Sequence, residues 1–259
     1  MYKLYSQTQH RKPELTPWYW KLKTNFGEAR LQRYDVTRDM KVKMQHLIDG
    51  TCNQSALGRG VDQVQAGSYS SLAVVKVERI EDPELWMKYK MATIKLIKNV
   101  ERAQPTKCEL DRQRVDSWDP TWMPKSGLHP EVNEQFLFHG TKPDLVDKLI
   151  ASGFEERLAA LSGLYGAGVY FAEKSHKSDQ YTQRNAGGVH FMFVARVALG
   201  AHVYDARQHE NNRRILDEVP GGSGVRHSAL LGLAGGHREF VIFDGAQAYP
   251  EFLLHYKRR

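Results

Sequence analysis

A chain of 259 residues with 41% hydrophobic and 26% charged content can bury a core, which excludes wholesale disorder and leaves room for one large domain with an extension. The net charge of +7 and a pI near 9.3 suit phosphorylated ligands, nucleic acid or acidic partners, and equally a solvated basic face. Only Cys52 and Cys108 are present, without a CxxC pair, so neither a disulfide framework nor a structural zinc is expected, and no apolar run reaches the ~20 residues of a membrane span.

In chain order, Met1-Tyr2-Lys3-Leu4 opens no apolar signal core, which makes a nuclear or cytoplasmic location the expectation. Trp18-Tyr19-Trp20 lies in a basic, polar stretch and reads as an amphipathic clasp on the main domain rather than a stacking surface for bases. Val36 to Asp49 is predicted helical, with Val36, Met40, Met44, Leu47 and Ile48 on one face and Gly50 as the stop. Residues 51–70 are rich in Gly, Ser and Gln and read as a linker.

Leu72 to Ile80 has strand composition. Asp82-Pro83-Glu84 then opens a helix, with Asp82 as N-cap, Pro83 in the first turn and Glu84 favourable to the dipole. Its apolar positions are Leu85, Tyr89, Ile94, Ile97 and Val100, and it ends near Ala103. Residues 104–130 are polar with four prolines, and Trp118 and Trp122 read as packing anchors.

From residue 131 short strands alternate with short helices. Phe136-Leu137-Phe138 runs into His139-Gly140-Thr141, a buried strand whose end turns polar, where sites are commonly built. Pro143 opens a helix through Ile150, stopped at Gly153; a loop at 154–166 leads to Gly166-Ala167-Gly168, which feeds the strand Val169-Tyr170-Phe171-Ala172. A short helix is expected over Lys174 to Thr182, and strands over His190 to Leu199, Arg238 to Asp244 and Phe252 to Tyr256. No GxGxxG or GxxxxGK[ST] loop is present, which excludes the simplest Rossmann and P-loop sites.

Taken singly, His139 reads as a hydrogen-bonded structural group, and Tyr170 and Tyr181 as core aromatics. Glu239 stands out, because a carboxylate leading straight into Phe240-Val241-Ile242-Phe243 is costly unless exposed or paired.

Together the motifs carry a resemblance. Phe138-His139-Gly140-Thr141, Gly166 to Ala172, Ser175 to Tyr181 and Arg238 to Asp244 resemble the catalytic domain of the poly(ADP-ribose) polymerase family, the diphtheria-toxin-like ADP-ribosyltransferases. Gln247 to Leu254 extends the likeness and is most similar to the tankyrase branch. The motifs keep one order, with 31 residues from His139 to Tyr170 and 69 from Tyr170 to Glu239, and the likeness covers roughly residues 71–257.

The resemblance implies an α+β fold: a split antiparallel β-sheet with flanking short helices. Residues 1–70 would be an N-terminal helical extension of unknown role, and residues 71–259 the catalytic domain. NAD would bind in the cleft and be consumed as substrate, with no metal. His139, Tyr170 and Glu239 would form the catalytic set. His139 would hydrogen-bond the adenosine ribose, Gly140 the nicotinamide carboxamide through its backbone, and Ser178 the same carboxamide through its hydroxyl. Tyr170 and Tyr181 would sandwich the nicotinamide ring, and Arg157 would contact phosphate. A carboxylate near the nicotinamide ribose would stabilise an oxocarbenium-like transition state. The acceptor would be a protein, with nucleic acid a second class that the basic charge permits; single-unit and polymeric transfer both stay open, as does oligomeric state. NAD glycohydrolysis and a catalytically silent NAD-binding module are the alternatives.

Overall fold

The computed structural model describes residues 16–22, 30–58, 68–103, 128–156, 163–206 and 216–259. Trp118 and Trp122, expected as packing anchors, and Arg157, expected at phosphate, lie outside the described residues.

Nine strands form one hydrogen-bonded sheet: β1 (Gln32–Asp35), β2 (Leu72–Glu81), β3 (Glu134–Thr141), β4 (Val169–Ala172), β5 (His190–Ala198), β6 (Val203–Asp205), β7 (Ala229–Ala234), β8 (His237–Ile242) and β9 (Ala248–Arg258). Their order across the sheet is β1-β2-β9-β5-β3-β4-β8-β7-β6, and every neighbouring pair is antiparallel except β6–β7. The strands β1, β6 and β7 are not legible as alternating runs; β1 and β6 are only four and three residues long.

The period-two alternation of β3 decides which side chains enter which core. Phe136 and Phe138 join Met192, Val194, Phe252 and Leu254 on one face, while Leu137 joins Phe193, Ala195, Phe171 and Phe240 on the other. Each such fully buried large side chain contributes about 2 kcal/mol by its removal from water. β5 is buried at all nine positions because it is central and covered on both sides.

Among the described residues four α-helices flank the sheet: α1 (Thr37–Thr51), α2 (Pro83–Arg102), α3 (Val146–Ser152) and α4 (Ser175–Asp179). Helix α1 runs through Gly50 rather than stopping there, and buries Met44 and Ile48 against Leu72, Val74 and Val77 of β2. Tertiary packing thus overrides the weak helix propensity of one glycine. Helix α2 begins as its sequence dictates: the Asp82 carboxylate accepts from the amides of Glu84 (2.9 Å) and Leu85 (3.1 Å), with Pro83 at the first position. Its buried face is Leu85, Trp86, Tyr89, Ala92 and Leu96; Ile94 is 42% exposed, since it sits on the opposite side of the helix. Helix α3 is preceded by a 3-10 turn at Pro143–Leu145 and ends at Gly153, whose φ of 76° favours glycine.

The N-terminal clasp takes the expected form. Trp20 is 2% exposed, stacking on Tyr249 and tilted on Trp86, while the Tyr19 hydroxyl donates to Glu251. No described helix is long and apolar enough to cross a membrane.

Candidate active site

The sheet is nearly cut in two. β3 and β4 share a single register pair, Phe138↔Ala172, whereas β3 pairs with β5 over eight positions. Beyond that pair β3 and β4 diverge, and the side chain of His139 bridges the gap in place of the ladder. Its Nδ1 donates to the Tyr170 carbonyl at 2.9 Å. That bond fixes the tautomer, leaving Nε2 as an acceptor, and burial lowers the pKa, so the ring is neutral at physiological pH.

A cavity of about 600 Å³ occupies the divergence. His139, Gly140, Tyr170, Ser178, Tyr181 and Glu239 all line it. Phe154, Phe171, Leu149 and Val169 supply apolar wall, and Lys148 and Glu155 contribute charge. Such a volume with apolar walls and few polar groups is the usual form of a small-molecule site.

Gly140 is required by space: a Cβ there would lie 1.9 Å from the Ser178 carbonyl oxygen. The absence of a side chain lets α4 lie against β3 and keeps the Gly140 backbone open to a ligand. The hydroxyl of Thr141, also in the lining, is buried with no hydrogen-bond partner among the described residues. A ligand presenting a polar atom there would remove a penalty of about 1–3 kcal/mol.

Glu239 is 3% exposed and held from α4 and the turn that follows it. The Tyr181 hydroxyl donates to its Oε1 at 3.1 Å, and Lys177 Nζ lies 3.4 Å from the same oxygen. Lys177 also donates to the Tyr181 hydroxyl at 3.2 Å, closing a triangle. Burial and the Glu239 charge push the Tyr181 pKa up, so its hydroxyl stays a donor. Burial pushes Tyr170 up to about 12. The Tyr170 hydroxyl donates to the Gly166 carbonyl (2.9 Å) and accepts from the Tyr165 amide (2.8 Å), which fixes the ring against the preceding turn.

The structure therefore brings together every described residue singled out from sequence; Arg157 falls outside the described residues. Sequence reasoning missed Lys177, Thr141 and Phe154. Lys177 precedes Tyr181 by four positions, a spacing that aligns two side chains on a helix. Only the fold, however, reveals that this lysine is 6% exposed and paired with a carboxylate 62 positions on.

Comparison with known proteins identifies the family. Residues 55–258 match the family model of the poly(ADP-ribose) polymerase catalytic domain. The chain is 30% identical over 184 residues to protein mono-ADP-ribosyltransferase PARP12 of Mus musculus, covering 71% of this chain and 21% of that protein. It is 28% identical over 189 residues to PARP10 of Mus musculus (72% of this chain, 16% of that one) and 26% identical over 200 residues to PARP14 of Homo sapiens (73% and 9%); both carry the same mono-ADP-ribosyltransferase name. This chain thus spans about a fifth or less of the length of these relatives. Since the family match covers most of its residues, the protein belongs to the poly(ADP-ribose) polymerase catalytic-domain family.

Proposed function

We propose that this chain transfers ADP-ribose from NAD to a macromolecular acceptor and releases nicotinamide. The observation that carries this reading is the Glu239 carboxylate, held by Tyr181 and Lys177, in one cavity with His139, Gly140, Tyr170 and Ser178. NAD supplies a ribose carbon bearing a pyridinium leaving group: the C–N bond breaks, nicotinamide departs with the electron pair, and a bond to an acceptor oxygen or nitrogen forms as that atom gives up its proton to solvent.

The protein's own residues act around that carbon. The neutral His139 offers Nε2 as an acceptor to a ribose hydroxyl. Gly140 offers backbone polar groups, and Ser178 a hydroxyl, to a planar carboxamide, while the Tyr170 and Tyr181 rings provide faces for stacking. Glu239 places fixed negative charge where positive charge develops on the ribose, in a site where water screens it little. Lys177, 3.4 Å from that carboxylate, holds it in orientation.

The names of the relatives favour transfer of a single unit to protein. The expected closeness of residues 247–254 to the tankyrase branch is not specifically supported by these relatives, which carry mono-ADP-ribosyltransferase names; that stretch, β9 and the turn before it, does not line the cavity. We also infer that the catalytic unit begins before residue 71, because β1 pairs with β2 and α1 packs on it.

Incubation with labelled NAD, with and without nucleic acid, followed by gel and mass analysis, tests the reading. One ADP-ribose on protein is the expected product. A ladder would indicate chain growth, labelled nucleic acid a second acceptor class, and free ADP-ribose alone a glycohydrolase. NAD binding without nicotinamide release would leave a silent module and end the proposal.

A further inference from the structure

Tyr165 does not line the cavity, yet its backbone and side chain grip both walls of it. Its amide donates to the Tyr170 hydroxyl at 2.8 Å. Its own hydroxyl accepts from the Leu233 amide at 2.8 Å and donates to the Leu233 carbonyl at 2.9 Å. One residue thus ties the nicotinamide-side aromatic to strand β7.

The point of attachment is telling. β6 pairs with β7 only as far as Asp205↔Leu231, and the Ala206 amide adds one bond to the Leu231 carbonyl. The Tyr165 hydroxyl takes up both polar groups of the next residue along that edge, Leu233, as a further peptide unit would. Between them lies Gly232, the cross-strand partner of Glu239. A Cβ on Gly232 would lie 2.2 Å from the Tyr165 ring, so the glycine exists to let that ring lie flat on the strand. Tyr165 itself is 1% exposed.

We propose that Tyr165 is a positioning residue: its hydroxyl latches the turn at 163–168 to β7 opposite Glu239, so that Tyr170 and the Glu239 carboxylate keep a fixed separation. The proposal rests on the transferase reading given above. It predicts that loss of the hydroxyl affects the reacting geometry more than the affinity for NAD, because neither cavity-lining residue is removed.

Tyr249 provides a matched control. Its hydroxyl also accepts from a backbone amide (Asp82, 3.0 Å) and donates to a backbone carbonyl (Ile80, 2.9 Å), and the residue is fully buried, but it lies in the core beside Trp20 and Trp86. Tyr165→Phe and Tyr249→Phe should lose similar stability. Tyr165→Phe alone should lower kcat for nicotinamide release, by about tenfold, with KM for NAD nearly unchanged, as small misplacements of reacting groups do. Gly232→Ala, which displaces the same ring, should follow Tyr165→Phe. Equal kcat values in the two Phe variants, or a Tyr165→Phe effect confined to KM, would overturn the latch. If the wild-type chain releases no nicotinamide, the transferase reading fails on its own, and amide hydrogen exchange still judges the latch. Faster exchange at residues 163–170 and 232–240 together, in Tyr165→Phe and not in Tyr249→Phe, supports it; faster exchange at one segment alone refutes it.

Discussion

Two of the clusters that place a carboxylate beside a cation out of water differ in what is left over. In the core, Arg196 is 2% exposed between Glu134 and Glu251. Every carboxylate oxygen there is occupied: Glu251 takes the Tyr19 hydroxyl on Oε1 and Arg196 Nε on Oε2, and Glu134 takes Tyr89 and Arg196 on Oε1 and the His129 amide on Oε2. In the cleft, Glu239 is equally buried, but among the described residues both its side-chain contacts fall on Oε1, and it borders a cavity. Burial and pairing alone therefore do not mark a site. What distinguishes the cleft is bonding capacity left unused and turned toward space that a ligand can fill.

The largest expected effect comes from breaking the saturated cluster. Arg196→Met leaves two buried carboxylates without their cation and should cost about 3–5 kcal/mol, read as a lower urea midpoint. Adding Glu134→Gln and Glu251→Gln should recover part of that loss; no recovery would mean that the arginine acts mainly through its packing on Trp86 and Phe136. In the cleft the opposite balance holds. Glu239→Gln should keep the fold and NAD binding while kcat for nicotinamide release falls by about 10²–10³, the usual loss when one fixed stabilising group is removed. Near wild-type turnover in that variant would remove the carboxylate from the mechanism.

Lys177→Met probes the cation on the cleft side. It keeps the aliphatic bulk of the side chain and removes the charge 3.4 Å from Glu239, so kcat should fall by about tenfold with little change in melting temperature. A melting temperature lowered as far as that of Arg196→Met would show that the two clusters are alike after all.

The smallest effect is a pH dependence of stability at His176, the neighbour of Lys177. Burial, reinforced by His237, pushes its pKa down from 6.5 to about 4. The folded state therefore holds this ring neutral while the unfolded chain takes up a proton. The stability it contributes is complete above pH 6.5 and declines as pH falls from 6.5 toward 4. Between pH 7 and pH 5 the wild-type melting temperature should drop by more than that of His176→Gln, measured by circular dichroism; parallel drops would assign the acid sensitivity to other groups.

Local chemistry made much of the fold legible. Asp82-Pro83-Glu84 specifies the start of α2 because a side-chain acceptor and a missing amide suit the first turn wherever it lies. Gly153 ends α3 because its φ is positive, and the apolar runs at 136–138, 169–172 and 240–242 are buried strands because nothing else absorbs such runs at that length. Legibility failed where elements are short or edge-placed. β1 and β6 owe their extended form to the strand beside them, and Ile94 faces out because helix phase is set by what α2 packs against.

The sequence by itself determined the site's vocabulary: a histidine at a strand end, a glycine after it, aromatics beyond two glycines, and a glutamate at the head of an apolar run. Only the tertiary structure decided their grammar. β3 and β4 meet at one register pair, so a cavity opens there rather than continuous sheet; Gly140 is tied to the Ser178 carbonyl by contact; Lys177 finds Glu239. These relations join residues far apart in the chain, and distances set by packing leave no periodicity for the eye to read.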